Sequence, residues 1–222
     1  MSRMKELLVS LARPGEPWNA KSLEAALEAA LDTTPAADIV VLPFVVSLET
    51  QAKGFDLIEA SKRWAKDEVK WAILGPIAQT NGPKVFNRIY VINDGGGLEA
   101  LCERPNKIAS FFSYKGLLMG CITCEELLSS ENVSIAARGG ARILFAIGKG
   151  PSINPEAFEA LVRVRALENA TFLLASDGNS FWAFSHSGEA ICKTDARTAR
   201  LARVDRLIAR QMRKTPEAIG RL

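Results

Sequence analysis

The chain alternates between short, wholly apolar runs and longer stretches in which apolar residues recur every three or four positions. In the stretch 19–37, Leu23, Leu27 and Leu31 are spaced four residues apart with alanines between them. This spacing places the leucines on one face of an amphipathic helix. The next run, 38–44, reads DIVVLPF and predicts a buried strand that ends near a proline.

The same alternation continues along the whole chain. Further strands are predicted at 5–12, 71–79, 85–94, 98–105, 116–124, 141–150, 171–177, 181–188, 189–195 and 198–205, and further helices at 57–69, 125–140, 154–170 and 206–214. Strands separated by helices, with hairpins between, indicate an α/β fold with a mixed sheet. So many strands exceed one ordinary open sheet, so we expect two stacked sheets, each covered by helices on one side. No linker, repeat or low-complexity segment divides the chain, which predicts a single domain over 1–222.

Composition adds limits to this fold. The 222 residues are 48% hydrophobic and 24% charged, enough for one domain with a large core. A net charge of +3 does not indicate a nucleic-acid or membrane partner. We interpret the basic residues of 193–221 as a solvated helix face. No apolar run reaches the roughly 18–20 residues of a membrane span, and the N-terminus lacks a signal peptide, so a cytoplasmic protein with free thiols is expected.

Cys121 and Cys124 form a C-x-x-C pair, which raises the question of a redox or zinc site. His186 is the only histidine and is remote in sequence, so a four-ligand zinc site lacks ligands. We therefore predict no metal, Cys121 as a core residue and His186 as a turn residue. For Cys124, a reactive thiol and a buried structural cysteine stand as equal alternatives.

Several stretches, taken in order, resemble the nitrilase, or carbon–nitrogen hydrolase, superfamily. They are ADIVVLP (37–43), the hairpin and lysine of 84–108, MGCITCEELLSSE (119–131), the Arg-Ala-x-Glu-Asn passage of 160–176, and the late hairpin of 184–195. The resemblance implies a four-layer α-β-β-α sandwich, commonly paired into homodimers through helices beside the active site. It also implies hydrolysis of small amides or nitriles through a covalent thioester on the enzyme, with no metal or organic cofactor.

The resemblance places Cys124 at the nucleophile position. Lys107 and the backbone N–H of Glu125 would then hold the developing oxyanion. Because Cys124 lies where a predicted strand turns into a predicted helix, we expect the helix N-terminus to stabilise its thiolate. Glu126 lies at the family's acidic position two residues further on, and either lines the pocket or caps its own helix. Glu168 and Asn169 of the Arg-Ala-x-Glu-Asn passage are expected to be structural.

The chain departs from the family at the general base. Phe44 stands directly after the proline where the family has its glutamate, and phenylalanine accepts no proton. Between Lys107 and Cys124 the segment 108–123 contains no Asp or Glu, so the family's second glutamate is also missing. Glu49 is a nearby carboxylate that a loop could return to the site, and Phe44 is expected to fill the vacated pocket in preference to stacking on a substrate. Losing a positioned general base reduces the rate by about 10²–10⁴.

Two functional hypotheses follow. In the first, the chain is an amidase- or nitrilase-type hydrolase with Cys124 and Lys107 retained and hydrolysis weakened or lost. In the second, it is a catalytically inactive binding or assembly module on the same fold. A carboxylate close to the Cys124 sulfur would favour the first hypothesis.

Overall fold

The structure is a computed structural model that describes residues 6–12, 20–46, 51–81, 84–104, 109–192 and 198–202. The described chain forms two six-stranded sheets. The first has the order β12-β1-β2-β3-β4-β5. Its strands are β1 Glu6–Leu11, β2 Ile39–Val46, β3 Trp71–Asn81, β4 Lys84–Ile92, β5 Leu98–Arg104 and β12 Thr198–Ala202. Helices α1, Ala20–Thr33, and α2, Gln51–Asp67, connect its three parallel strands.

The second sheet has the order β11-β10-β9-β8-β7-β6. Its strands are β6 Ser110–Tyr114, β7 Leu117–Thr123, β8 Ile143–Ile147, β9 Phe172–Ser176, β10 Phe181–Phe184 and β11 Ala190–Cys192. A 3-10 helix, Cys124–Leu128, and α3, Ser130–Arg138, lead from β7 to β8, and α4, Pro155–Glu168, leads from β8 to β9. Read in sheet order from β12 and from β6, the two sheets have the same sequence of antiparallel and parallel pairings.

Three apolar clusters hold these elements together as four layers. One lies between the two sheets, the second between the first sheet and α1 and α2, and the third between the second sheet and α3 and α4. Alternate residues of one strand therefore enter different clusters, as the period of two along a strand requires. The predicted α-β-β-α sandwich of two mixed sheets is confirmed.

Local sequence signals explain several element boundaries. Asn154 caps α4, because its side-chain oxygen accepts the backbone N–H of Ala157 at 2.6 Å, and Pro155 occupies the first turn. In the β4–β5 hairpin, the Asn93 side-chain oxygen accepts the N–H groups of Gly95 and Gly97 at 3.0 and 2.9 Å.

The structure differs from the sequence-based expectation at two places that matter for the site. The sequence predicts one strand, 116–124, before Cys124, whereas the segment 108–123 contains both β6 and β7, which pair as a hairpin. The helix predicted over 125–140 is divided at Ser129 into the 3-10 helix and α3. The closing helix predicted at 206–214 lies outside the described residues.

The two sheets meet closely at the carboxyl ends of their parallel strands. A Cβ atom added to Gly148, just after β8, would lie 2.5 Å from Cδ of Pro76 on β3. A Cβ added to Gly178, in the β9–β10 turn, would lie 3.2 Å from the carbonyl oxygen of Pro43 on β2. Glycine at these positions therefore allows the end of one sheet to lie directly against the end of the other.

A polar contact joins the sheets at the opposite, amino ends of the strands. The Asp38 carboxylate accepts the Leu8 N–H at 3.0 Å and the Tyr114 hydroxyl at 2.8 Å, and it pairs with Lys115 at 3.2 Å. It thus links β1 and β2 to the turn between β6 and β7. Among the helices that the structure describes, none is both long enough and apolar enough to cross a membrane.

Candidate active site

The turn that carries Cys124 is closed by a buried carboxylate. Glu126 is only 2% exposed, and its Oε2 accepts the Thr123 backbone N–H at 2.7 Å and the Thr123 hydroxyl at 3.2 Å. This arrangement satisfies the first donors of the 3-10 helix directly after β7 ends. Glu126 therefore caps the turn, and its contribution to a pocket wall stays a prediction.

The Cys124 side chain points into the protein and is fully buried. Its thiol lies 3.3 Å from the carbonyl oxygen of Ala146 on β8 and 3.4 Å from that of Ser176 on β9. Carbonyl oxygens only accept hydrogen bonds, so the sulfur is the donor in either contact. Both contacts therefore require the protonated thiol.

The electrostatic surroundings favour the same protonation state. Burial, first of all, raises the pKa of the Cys124 thiol far above its ordinary value, and the negative charges of Asp177 and Glu125 raise it further. The expectation that a helix N-terminus would stabilise a thiolate is wrong for this structure, because Cys124 is the first residue of a short 3-10 helix whose first turn carries Glu125 and Glu126.

Asp177, whose negative charge helps to raise the pKa of the Cys124 thiol, was not among the residues predicted from the sequence. It directly follows Ser176, and its Oδ1 accepts the backbone N–H groups of Asn179 and Ser180 at 2.9 and 2.8 Å, which closes the β9–β10 turn. The available signal was its place at the carboxyl end of an apolar strand, because the carboxyl ends of neighbouring parallel strands lie together.

The structure describes only some of the other residues predicted for the site. Cys124, Glu125 and Glu126 follow one another at the end of β7. Phe44 lies in β2 directly after Pro43, but its side chain is outside what the structure describes. Glu49 and Lys107 lie outside the described residues. The pairing of Cys124 with Lys107 therefore stays a prediction.

The C-x-x-C pair does not bring its two sulfurs to one site. Cys121 belongs to the cluster between the sheets, whereas Cys124 belongs to the cluster between the second sheet and its helices. An offset of three residues along an extended segment produces this opposite placement. Cys121 is confirmed as a core residue, and none of the four cysteines forms a disulfide.

A separate polar pocket of about 370 Å³ opens on the outer surface between α3 and α4. It is lined by Ser130, Glu131, Ser134, Arg138, Glu168 and Asn169. None of these side chains is Cys124 or a predicted partner of Cys124. The pocket therefore belongs to the helical face of the second sheet and is distinct from the candidate active site.

Comparison with known proteins agrees with this fold. The profile of the carbon-nitrogen hydrolase family matches residues 16–190, and the chain belongs to that family. No curated protein matches the sequence itself.

Solved structures give the same fold at low sequence identity. A carbon-nitrogen hydrolase from Helicobacter pylori G27 is 15% identical, with a TM-score of 0.78 over 96% of this chain and 94% of that one. A variant of the amidase from Nesterenkonia sp. AN1, which carries the acetamide moiety of fluoroacetamide on its active-site cysteine, is 14% identical, with a TM-score of 0.75 over 96% and 97%. Another variant of that amidase, in complex with butyramide, is 13% identical, with a TM-score of 0.74 over 96% and 97%.

Proposed function

We propose that this chain keeps the fold and the nucleophile position of an amidase but that amide hydrolysis at Cys124 is weak or lost. The state of the thiol carries the proposal. Cys124 is buried and its sulfur contacts two main-chain carbonyls. Within the part of the chain that the structure describes, no carboxylate is hydrogen-bonded to the sulfur.

The reaction explains why this state matters. The sulfur of Cys124 would form a bond to the amide carbon, the thiol proton would pass to the departing nitrogen, and ammonia would leave a thioester behind. Water would then cleave the thioester, releasing the acid and restoring the thiol. Both steps need a group that accepts and returns a proton, and Phe44 occupies the position where the family has its glutamate.

The other proposed roles follow the family resemblance. Lys107 and the backbone N–H of Glu125 would stabilise the oxyanion. Glu49 would be the carboxylate that replaces the missing general base. The substrate, if turnover survives, would be a small amide or nitrile. The amidase structure with butyramide supports the choice of a short aliphatic amide as test substrate.

The test compares the parent chain with Cys124→Ala and Phe44→Glu. Ammonia release from butyramide is measured together with the mass of any adduct formed with fluoroacetamide. We expect the parent to match Cys124→Ala in ammonia release, and Phe44→Glu to gain adduct formation at Cys124. A parent turnover of about 1 s⁻¹ or more that disappears in Cys124→Ala would contradict the proposal.

A binding or assembly role is the second candidate, and the outer surface of the second sheet's helices favours it. Leu128, Ile135, Val164 and Leu167 are 38–56% exposed on the 3-10 helix, α3 and α4. We name these four residues the α3–α4 face. These exposed apolar residues lie on or next to the helices that line the polar pocket, and exposed apolar patches are typical of association surfaces. The proposed partner is a second copy of the chain, which gives a homodimer.

Sedimentation measurements on variants test this assembly. Leu167→Glu places a charge on the α3–α4 face and is expected to dissociate the dimer. Val69→Glu is the matched control, because Val69 is 67% exposed but follows α2 on the helix layer of the other sheet. A parent chain that sediments as a monomer at high concentration, or equal effects of the two variants, would rule out dimerisation through this face.

The proposed compartment is the cytoplasm. None of the four cysteines forms a disulfide. Free thiols persist in reducing compartments and are uncommon in small secreted domains. Fractionation of cells that express the chain would test this assignment.

A further inference from the structure

The C-terminal end of the 3-10 helix that begins at Cys124 is held by the side chain of Arg165 on α4. Nε of Arg165, on α4, donates to the carbonyl of Leu127 at 2.9 Å, and its second terminal nitrogen donates to the carbonyl of Leu128 at 3.3 Å. The first terminal nitrogen pairs with Glu168 at 2.8 Å. The planar guanidinium thus divides its donors between the turn and a carboxylate on its own helix.

Arg165 is well placed to act as a fixed support. Its side chain is 12% exposed, whereas that of Glu168 is 45% exposed, so the guanidinium lies inward and its counter-ion lies toward solvent. Asn169 adds a further bond, because its side-chain nitrogen donates to the Arg165 carbonyl at 2.9 Å. These contacts account for the Arg-Ala-x-Glu-Asn passage in structural terms.

The short helix therefore has a polar attachment at each end. Glu126 closes its start on Thr123, and Arg165 closes its end on Leu127 and Leu128. A 3-10 helix of five residues has few internal bonds and weak geometry of its own. Because Cys124 lies between the two attachments, its contacts with the β8 and β9 carbonyls depend on both.

We propose that Arg165 is a positioning residue that keeps Cys124 in its buried orientation by binding the end of the 3-10 helix. The inference rests on the proposed function only in taking Cys124 as the thiol of the site. It requires no hydrolysis. Arg165 acts through the turn and contacts neither the sulfur nor a substrate.

The experiment measures alkylation of individual cysteines by iodoacetamide in the folded full-length chain. Fragment mass spectrometry separates modification of Cys124 from that of Cys121, three residues earlier and fully buried between the sheets. Local release of the turn exposes Cys124 alone, whereas global unfolding exposes both thiols. The ratio of the two rates is therefore a readout that general destabilisation does not change.

Three variants define the expected pattern. Arg165→Leu is expected to raise the rate at Cys124 by about tenfold or more while the rate at Cys121 changes much less. Arg165→Lys keeps the positive charge but loses the several donors of the guanidinium, so its Cys124 alkylation rate is expected to lie between those of the parent and Arg165→Leu. Arg163→Leu, on an exposed position of the same helix, is the control and should match the parent.

The pH profile gives a second readout. Release of the turn should bring the alkylation profile of Cys124 toward that of an ordinary thiol, with a midpoint at about pH 8.5. An unchanged Cys124 rate in Arg165→Leu, or equal rate increases at Cys124 and Cys121, would overturn the proposal. If Arg165→Leu does not fold, the ratio of the Cys124 and Cys121 alkylation rates in Arg165→Lys tests the proposal. Failure here leaves the ammonia-release test unaffected, because alkylation needs no substrate.

Discussion

A methyl group at position 148 offers a direct test of how closely the two sheets meet beside Cys124. In Gly148→Ala the new Cβ would lie 2.5 Å from Cδ and 2.6 Å from Cγ of Pro76, closer than Cβ atoms approach other atoms in proteins. The proline ring cannot rotate away, so the ends of β3 and β8 must separate by about 1 Å. Gly148 also has a φ of +119°, a conformation that alanine rarely adopts.

These two effects set the size of the loss. Overpacking of a close contact costs about 1–3 kcal/mol. A side chain in a positive-φ conformation costs about 1–2 kcal/mol. The free energy of unfolding of Gly148→Ala should therefore fall by about 2–5 kcal/mol, a large part of the 5–15 kcal/mol typical of a domain.

The assay is urea denaturation, and the chain provides a matched control. Gly116, in the β6–β7 turn, has a φ of +82° and no atom within 4 Å of its added Cβ. Gly116→Ala isolates the backbone effect and should cost about 1–2 kcal/mol. If Gly148→Ala costs no more than Gly116→Ala, the contact between Pro76 and Gly148 is absent and the described junction of the sheets is incorrect.

Two further predictions concern groups on other parts of the sandwich. Asp38→Asn should lower the free energy of unfolding by about 1–3 kcal/mol, because it weakens the hydrogen bonds to Tyr114 and Leu8. Tyr114→Phe should then cost less in the Asp38→Asn background than in the parent. Additive losses in this double-mutant denaturation cycle would show that the two side chains do not interact. Because burial raises the pKa of the Cys124 thiol, the native state keeps a proton that the unfolded chain releases above about pH 8.5. The free energy of unfolding should therefore fall with rising pH by about 1.4 kcal/mol per pH unit for each buried thiol of this kind. Cys124→Ala should have a shallower alkaline decline than the parent, and identical slopes from pH 8 to 10.5 would show that this thiol titrates normally.

The sequence was sufficient for most of the fold because its periodic signals are strong. The apolar strands β8 and β9, and the Asn154 cap of α4, are legible without coordinates. The strand β6 was missed because Phe111 and Phe112 are adjacent, so that one aromatic ring faces outward and one inward and the alternation is hidden.

The site was less predictable for a physical reason. Cys124 could be selected because an apolar run ends there and because the flanking residues resemble a known motif. Its contacts with Ala146 and Ser176 are made to backbone carbonyls, which every residue has, so only the register of β7, β8 and β9 identifies them. The role of Arg165 depends in the same way on how α4 packs against a turn 37 or 38 residues earlier.

The pairing of β12 with β1 has a consequence for how the chain is made. Glu6 lies opposite Ala202, so the first described strand finds its antiparallel neighbour only after nearly all of the chain has been synthesised. Until then β1 has one open hydrogen-bonding edge, which is a site for unwanted strand addition. Completion of the first sheet thus waits for the second sheet to be translated, and we expect slow, late consolidation on the ribosome instead of independent folding of the N-terminal half.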